Sequence, residues 1–293
     1  MMAQVGISTV EVIVPRLALG LILSAAIGLL AYRRGSLSRS GVAGAVLIGT
    51  SIFGFGGWVW GGTLIAFFVS SSLLSHYGES RKALLKEKFA KDSRRDLAQT
   101  LANGGLAATI AVVAGLIGRT APIFPLLALG FYGALAAASA DTWATELGVL
   151  AKQPPRLITT GKVVPVGTSG GVTWQGMAAA LGGAAFIGLT AFLLVQGAAR
   201  VTLGSWLLRD WVLIPVAAVS GLAGSAFDSL LGATVQAAYF CDNCEKETEQ
   251  TIHRCGQPAR LLRGRRWLDN DWVNFLATAA GAGIAAMMAL LLF

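Results

Sequence analysis

Two carboxylates stand in oily helical sequence with no basic residue beside them. They are Asp141 in AAASADTWATELG and Asp228 in GLAGSAFDSLLGATVQ, and Glu146 follows close behind the first. A bare carboxylate is costly to bury, even on the gentler insertion scales. A membrane protein keeps such a group when it binds a proton, a cation, or a metal that holds a phosphate. Thr142 and Thr145 add hydroxyls after the first acid, and Ser225 and Ser229 flank the second. Mg²⁺ takes carboxylate and hydroxyl oxygens and bridges to phosphates, so Mg²⁺ held by Asp141, Glu146 and Asp228 is the chemistry this set favours. The structural alternative is a set of hydrogen-bonded acids in the headgroup zone. Glu146 lies five positions beyond Asp141, about 140° round an ideal helix. The two therefore share a site only if the helix ends between them or other elements wrap round. Gly221, Ser225, Asp228 and Gly232 follow a four-three-four spacing, a small-residue face that another helix can approach.

Three further stretches carry candidate groups. Gly167, Thr168, Ser169, Gly170 and Gly171 precede an apolar run. Glycines there let backbone N–H groups form a concave anion site, and the next helix adds its positive N-terminus. Lys162 could reach the same phosphate. The spacing is not that of a Walker A loop, and a simple turn explains the glycines equally well. RRDLAQTLANGG places Arg94 and Arg95 at the water boundary and Asn103 deeper, where Asn103 either orients a phosphate or forms a packing notch. RGRRWLDNDWVN places Asp271 and Asn274 one turn apart on one face, after Arg263, Arg265 and Arg266. Acids for metal and arginines for phosphate at one helix mouth suit a nucleotide site, while a capped helix start with topology arginines is the plainer reading.

All three cysteines fall in CDNCEKETEQTIHRCG, as Cys241, Cys244 and Cys255, with His253 between the last two. CxxC with a nearby HxC resembles a Cys₃His zinc knuckle. Four ligands leave no open position, so a zinc ion here would be structural. The alternative is free thiols, since a cytoplasmic location disfavours disulfides.

The elements that must position these groups are transmembrane helices. The 293 residues are 55% hydrophobic and only 13% charged, about half the charge of a soluble domain. Apolar runs without strand alternation exclude a β-barrel and predict an all-α, polytopic helix bundle. Segments fall near 12–32, 41–55, 58–75, 99–118, 122–140, 174–197, 211–235 and 271–293. That makes six to eight membrane segments, because the second and third, joined by FGFGGWVWGG, either cross or form a short re-entrant pair. The first run lacks a basic n-region and a cleavage site and is read as a span rather than a signal peptide. The chain forms one transmembrane domain over 1–293, with a Cys/His insert loop at 239–268. HYGESRKALLKEKFAKDSRRD is expected to lie as an amphipathic helix at the headgroups. Nineteen of the 23 Lys and Arg fall on four loops that share one face. The positive-inside rule puts that face in the cytoplasm of an inner or plasma membrane, with both termini outside. Anionic lipid headgroups also account for many of these charges. No nucleic-acid partner is expected.

The stretches RRDLAQTLANGG, ASADTWATELG, ITTGKVVPVGTSGGVTWQG, SAFDSLLGATVQ and WLDNDWVN together resemble the integral-membrane phytyl-phosphate kinase family of the tocopherol pathway. The likeness runs from about residue 33 to the C-terminus. It implies transfer of a phosphoryl group from a nucleoside triphosphate, CTP or similar, to an isoprenoid monophosphate such as phytyl, geranylgeranyl or farnesyl phosphate. On that reading Asp141, Asp228 and Lys162 are catalytic, and Asp141, Glu146, Asp228 and Asp271 hold Mg²⁺. The phosphates are held by Arg94 or Arg95, Lys162 and the 167–171 loop, with Asn103 and Asn274 beside them. The prenyl tail lies against Gly104-Gly105 and Gly221–Gly232. A cytidylyltransferase acting on a lipid phosphate needs the same contacts. A secondary transporter is the non-enzymatic alternative, though these acids map to helix ends rather than the midplane.

Overall fold

A computed structural model describes residues 9–78, 94–206 and 208–292. Eight long helices among these residues are each long and apolar enough to cross a membrane. They are α1 (Thr9–Arg33), α2 (Arg39–Ser51), α3 (Trp58–His76), α4 (Leu97–Ile117), α5 (Phe124–Gly148), α6 (Trp174–Leu203), α7 (Leu213–Thr234) and α8 (Asn270–Leu292). A π-helical turn, Ile52–Gly56, extends α2 to an 18-residue span against the 19 residues of α3. Both lengths suit crossing, the first of the two options for this pair. Most of the stretch predicted as an amphipathic helix falls on residues 79–93, outside those described.

Small residues explain how the bundle closes. α5 is the central helix: every residue from Leu129 to Ala140 is buried, and α3, α4, α6, α7 and α8 all pack against it. The run LGFYGALAAASA permits this because its neighbours approach at backbone distance. A Cβ added at Gly281 of α8 would stand 2.7 Å from Gly133 O, and one at Gly221 of α7 would stand 2.8 Å from Ala136 O. Without a hydrophobic driving force between helices in lipid, such close packing supplies the association energy. Bulky side chains gather toward the opposite end of α5, where Trp60 stacks on Phe131 with centroids 4.1 Å apart.

Helix starts are capped locally. Asp96 and Gln99 form a reciprocal capping box on α4. Thr173 caps α6 through Gly176 N, and Asp269 Oδ1 accepts from Trp272 N at the start of α8. Two small sheets depart from the all-helical expectation. Strands β1 (Arg156–Leu157) and β2 (Gly171–Val172) pair antiparallel and fold the α5–α6 loop back on itself. The Cys/His insert forms a three-stranded antiparallel sheet in the order β4 (Lys246–Thr248), β3 (Ala238–Cys241), β5 (Arg260–Arg263). Its strands are three or four residues long, too short to betray themselves by alternation.

Candidate active site

The C-terminal ends of α3, α5 and α7 and the N-terminal ends of α4, α6 and α8 meet around one cavity of about 1230 Å³. The loop between α5 and α6 and part of the Cys/His insert complete its wall. Asp141 and Glu146 both line it. α5 continues unbroken to Gly148, so they share the cavity because other elements wrap round the helix end. Asp228 lines the same cavity from α7, and Asp271 and Asn274 line it from α8.

Asp228 is half-buried, and its Oδ2 has no hydrogen-bond partner among the described residues. Its electrostatic neighbours are two further acids, Asp141 and Glu249. Like charges held together in a partly dry space repel, and a cation removes the repulsion. Glu146 accepts a 2.6 Å hydrogen bond from Ser75 Oγ of α3. Arg95 reaches the cavity from outside α4, its backbone fixed by Ser38 N to Arg95 O and Arg95 N to Ser36 O, both 3.0 Å. Burial lowers its guanidinium from the ordinary value, and the charge of Glu146 opposes that shift. The guanidinium still carries its charge at any physiological pH. Asn103 lines the cavity and donates to Gln99 O at 3.0 Å.

The glycine-rich loop lines the cavity through all of Gly167–Gly171. Its glycines, however, serve packing as well as any ligand. Gly170 has φ +81°, and a Cβ there would lie 2.5 Å from Ala233 N of α7. The amides of Thr168 and Gly171 close turns on Pro165 O and Thr168 O. They are therefore spent within the loop, which offers fewer anion donors than its composition predicts.

Several predicted residues stand elsewhere. Lys162 is exposed and does not line the cavity. Its carbonyl instead accepts from Leu157 N in the turn that β1 begins. Arg94 is exposed beside Gly35 and is also absent from the lining. Arg263 donates to Gly232 O and Ser169 O, bracing α7 and the glycine-rich loop. Of the three arginines before α8, Arg266 alone reaches the cavity. Of the glycine faces expected to meet a prenyl tail, Gly104 packs on Ile48, Gly221 on Ala136 and Ala184, and Gly232 on Gly170, while Gly105 meets only Leu101 of its own helix. The apolar wall is made instead by Met177, Ala180, Val219, Leu222, Ala223 and Ala226.

Glu249 is the acid that the sequence did not single out. It sits among the charged residues of CEKETEQ, in a loop where an acid is ordinarily a solvated one. Only the fold turns it inward, where Glu249 Oε1 accepts from Ser169 Oγ at 2.7 Å and from Gln236 Nε2 at 2.9 Å. Gln99, Ser75 and Gln236 also line the cavity without a sequence signal.

The Cys/His cluster lies outside the cavity lining. Hydrogen bonding to His253 holds the Cys255 thiol down at about 6, and hydrogen bonding to Cys255 pushes Cys244 up to about 11.

Comparison with known proteins agrees with the sequence resemblance. The chain is 34% identical to Protein PGR of Arabidopsis thaliana over 288 residues, covering 95% of this chain and 98% of that protein. It is 31% identical over 282 residues to an uncharacterized membrane protein of Methanocaldococcus jannaschii, covering 96% of this chain and 98% of that protein. It is 26% identical over 255 residues to Protein VTE6, chloroplastic, of Arabidopsis thaliana, covering 86% of this chain and 65% of that protein. No solved structure matches. Residues 22–282 match the family described as Integral membrane protein DUF92, and with most of its length matched, this chain belongs to that family.

Proposed function

We propose that this protein transfers a phosphoryl group from a nucleoside triphosphate, CTP or a relative, to an isoprenoid monophosphate, giving the diphosphate. The observation that carries the reading is a single cavity combining three kinds of wall. Asp141, Glu146, Asp228, Glu249 and Asp271 bring carboxylates, Arg95 and Arg266 bring fixed positive charge, and the α6 and α7 surfaces are apolar. A substrate with two ionised heads and a hydrocarbon tail matches all three. The resemblance to membrane phytyl-phosphate kinases supports the same class.

The residues divide the work as follows. Asp141, Asp228 and Glu146 offer hard oxygen donors, and the Oδ2 of Asp228, without a partner among the described residues, fits a cation that demands them. Mg²⁺ bound there supplies charge neutralisation across the triphosphate. Arg95, pinned through its backbone, and Arg266 orient phosphates as rigid cationic forks. The Asn103 and Asn274 amides bracket the same space. Phosphoryl transfer depends mostly on positioning and electrostatics. The acceptor is already an anion, so no strong general base is needed. Lys162 and Arg94 take no part, because neither lines the cavity. The basic loops lie at the cavity end of the bundle, which supports a reaction at the cytoplasmic face.

The test uses detergent-purified protein with Mg²⁺, a panel of nucleoside triphosphates and short prenyl monophosphates, with lipid products resolved by mass. A prenyl diphosphate that disappears in Asp141→Asn supports the kinase. A nucleotidyl-lipid product moves the reading to a cytidylyltransferase. No product with any triphosphate, from folded protein, overturns both enzymatic readings and favours transport.

A further inference from the structure

Four side chains of the insert converge although the first and last lie 14 residues apart. One ligand atom from each of Cys241, Cys244, His253 and Cys255 lies within 4.8 Å of every other. Cys241 Sγ is 3.6 Å from Cys255 Sγ, and His253 Nδ1 is 3.2 Å from Cys255 Sγ. A tetrahedron built on Zn–S bonds of 2.3 Å has edges of about 3.8 Å, so these separations are near those of a bound ion. Three sulfurs and one imidazole form a soft donor set that selects zinc over the hard cations suited to the cavity. Nδ1 is the ring nitrogen that faces Cys255 Sγ, which makes it the ligand atom of His253.

What the cluster encloses gives it a role. Cys244 and His253 bracket residues 245–252, and within that span Glu249, Gln250, Thr251 and Ile252 line the cavity. Glu249 is the insert's electrostatic link to Asp228 and its hydrogen-bonded link to Ser169 and Gln236. Beyond β4 this span has one apolar side chain, the exposed Ile252, and closing it through a metal removes most of its remaining freedom. We propose that Cys241, Cys244, His253 and Cys255 bind one structural zinc ion, and that this ion holds Glu249 and its neighbours in place as one wall of the cavity. The site has no open coordination position and does not itself react with substrate. The inference holds whatever reaction the cavity performs.

The full chain, purified in detergent without chelator, is expected to carry one zinc per polypeptide by elemental analysis. Cys241→Ser and Cys244→Ser are each expected to lose it. Since a serine variant could fail to fold, the second measurement uses wild-type protein stripped by chelator and refilled with Co²⁺. The expected spectrum has thiolate-to-cobalt charge transfer and the intense visible bands of a tetrahedral site. Amide hydrogen exchange then compares zinc-loaded and stripped protein. Residues 245–252 should lose protection on stripping and regain it with zinc, while α5 stays unchanged. Absence of zinc in the purified protein, together with no cobalt spectrum, would overturn the site. A Cys241–Cys255 disulfide in its place would do the same. Metal binding with no change of exchange at 245–252 would overturn the wall-positioning role.

Discussion

At the scale of single residues, the acids of the cavity stand close enough to repel one another. Asp228 faces Asp141 and Glu249 with one carboxylate oxygen lacking a partner among the described residues. Removing its charge relieves repulsion while leaving the side-chain shape. Asp228→Asn is therefore expected to melt at or above the wild-type temperature in chelator, and to lose the stabilisation that Mg²⁺ gives the wild type. A cation binding only the folded state at about 100 times its dissociation constant adds about 2.7 kcal/mol, enough to see as a shift in thermal unfolding. A wild-type-sized Mg²⁺ shift in the variant would remove Asp228 from the cation site. Arg95 offers the contrasting case, because its charge has a neighbouring acid in Glu146. Arg95→Ala leaves that acid without its cation and should both destabilise the fold and weaken triphosphate binding, whereas Arg95→Lys should recover stability more than binding. Lysine restores the charge but lacks the planar fork. Equal recovery of both in a melting and binding series would mean that Arg95 contacts no phosphate.

At the scale of elements, glycine positions that look alike in sequence separate sharply in the fold. In GAGIAAMM of α8, Gly281 and Gly283 are two residues apart. A Cβ at Gly281 would lie 2.7 Å from both Ala137 Cβ and Gly133 O, while a Cβ at Gly283 meets nothing within 4 Å. Gly281→Ala must push α8 away from α5 and is expected to cost about 1–3 kcal/mol. Gly283→Ala should be neutral or stabilising by up to about 1 kcal/mol, through helix propensity alone. Unfolding of the two variants in mixed micelles decides this, and equal effects would mean that the α5–α8 contact is not at backbone distance. The same contrast marks what the sequence could tell. Asp141, Asp228, Asp271, Asn103 and Arg95 are legible because a polar group inside or at the mouth of an apolar run has to be explained. Glu249 and Ser75 are not, because their surroundings in sequence are unremarkable and only tertiary packing aims them at the cavity. Lys162 and Arg94 mislead for the converse reason. They are near the right residues in the chain, but β1 and β2 fold the loop so that Lys162 points to solvent, and the Arg95 backbone bridge to Leu37 leaves Arg94 outside.

At the scale of the whole molecule, one end of the bundle concentrates the chemistry and the charge. Six of the eight helices bring a terminus to the cavity. The loops at that end include those that carry most of the Lys and Arg, among them Arg156, Lys162, Arg260, Arg265 and Arg266. At the other end Arg16 and Arg119 stand near Gly57, the residue between the π-turn and α3. Basic residues resist translocation, so the cavity end should face the cytoplasm and the Gly57 turn the opposite side. This orientation also serves the proposed chemistry, because nucleoside triphosphates are cytoplasmic and the acceptor lipid would enter from the membrane. Two accessibility measurements test it on the intact protein in cells. Trp58, exposed next to the Gly57 turn, is replaced by cysteine, and the wild-type protein with its three native cysteines serves as the reference for background labelling. Trp58→Cys should react with a membrane-impermeant maleimide added outside, and a cysteine at exposed Lys162 should react only after the cells are opened. Reaction at position 162 from outside would invert the molecule and place the cavity away from its nucleotide. Protection of position 58 from both sides, with position 162 behaving as expected, would mean that α2 and α3 turn back inside the membrane. The orientation of the cavity would then still stand, since a hairpin of either kind returns the chain to the same side before α4.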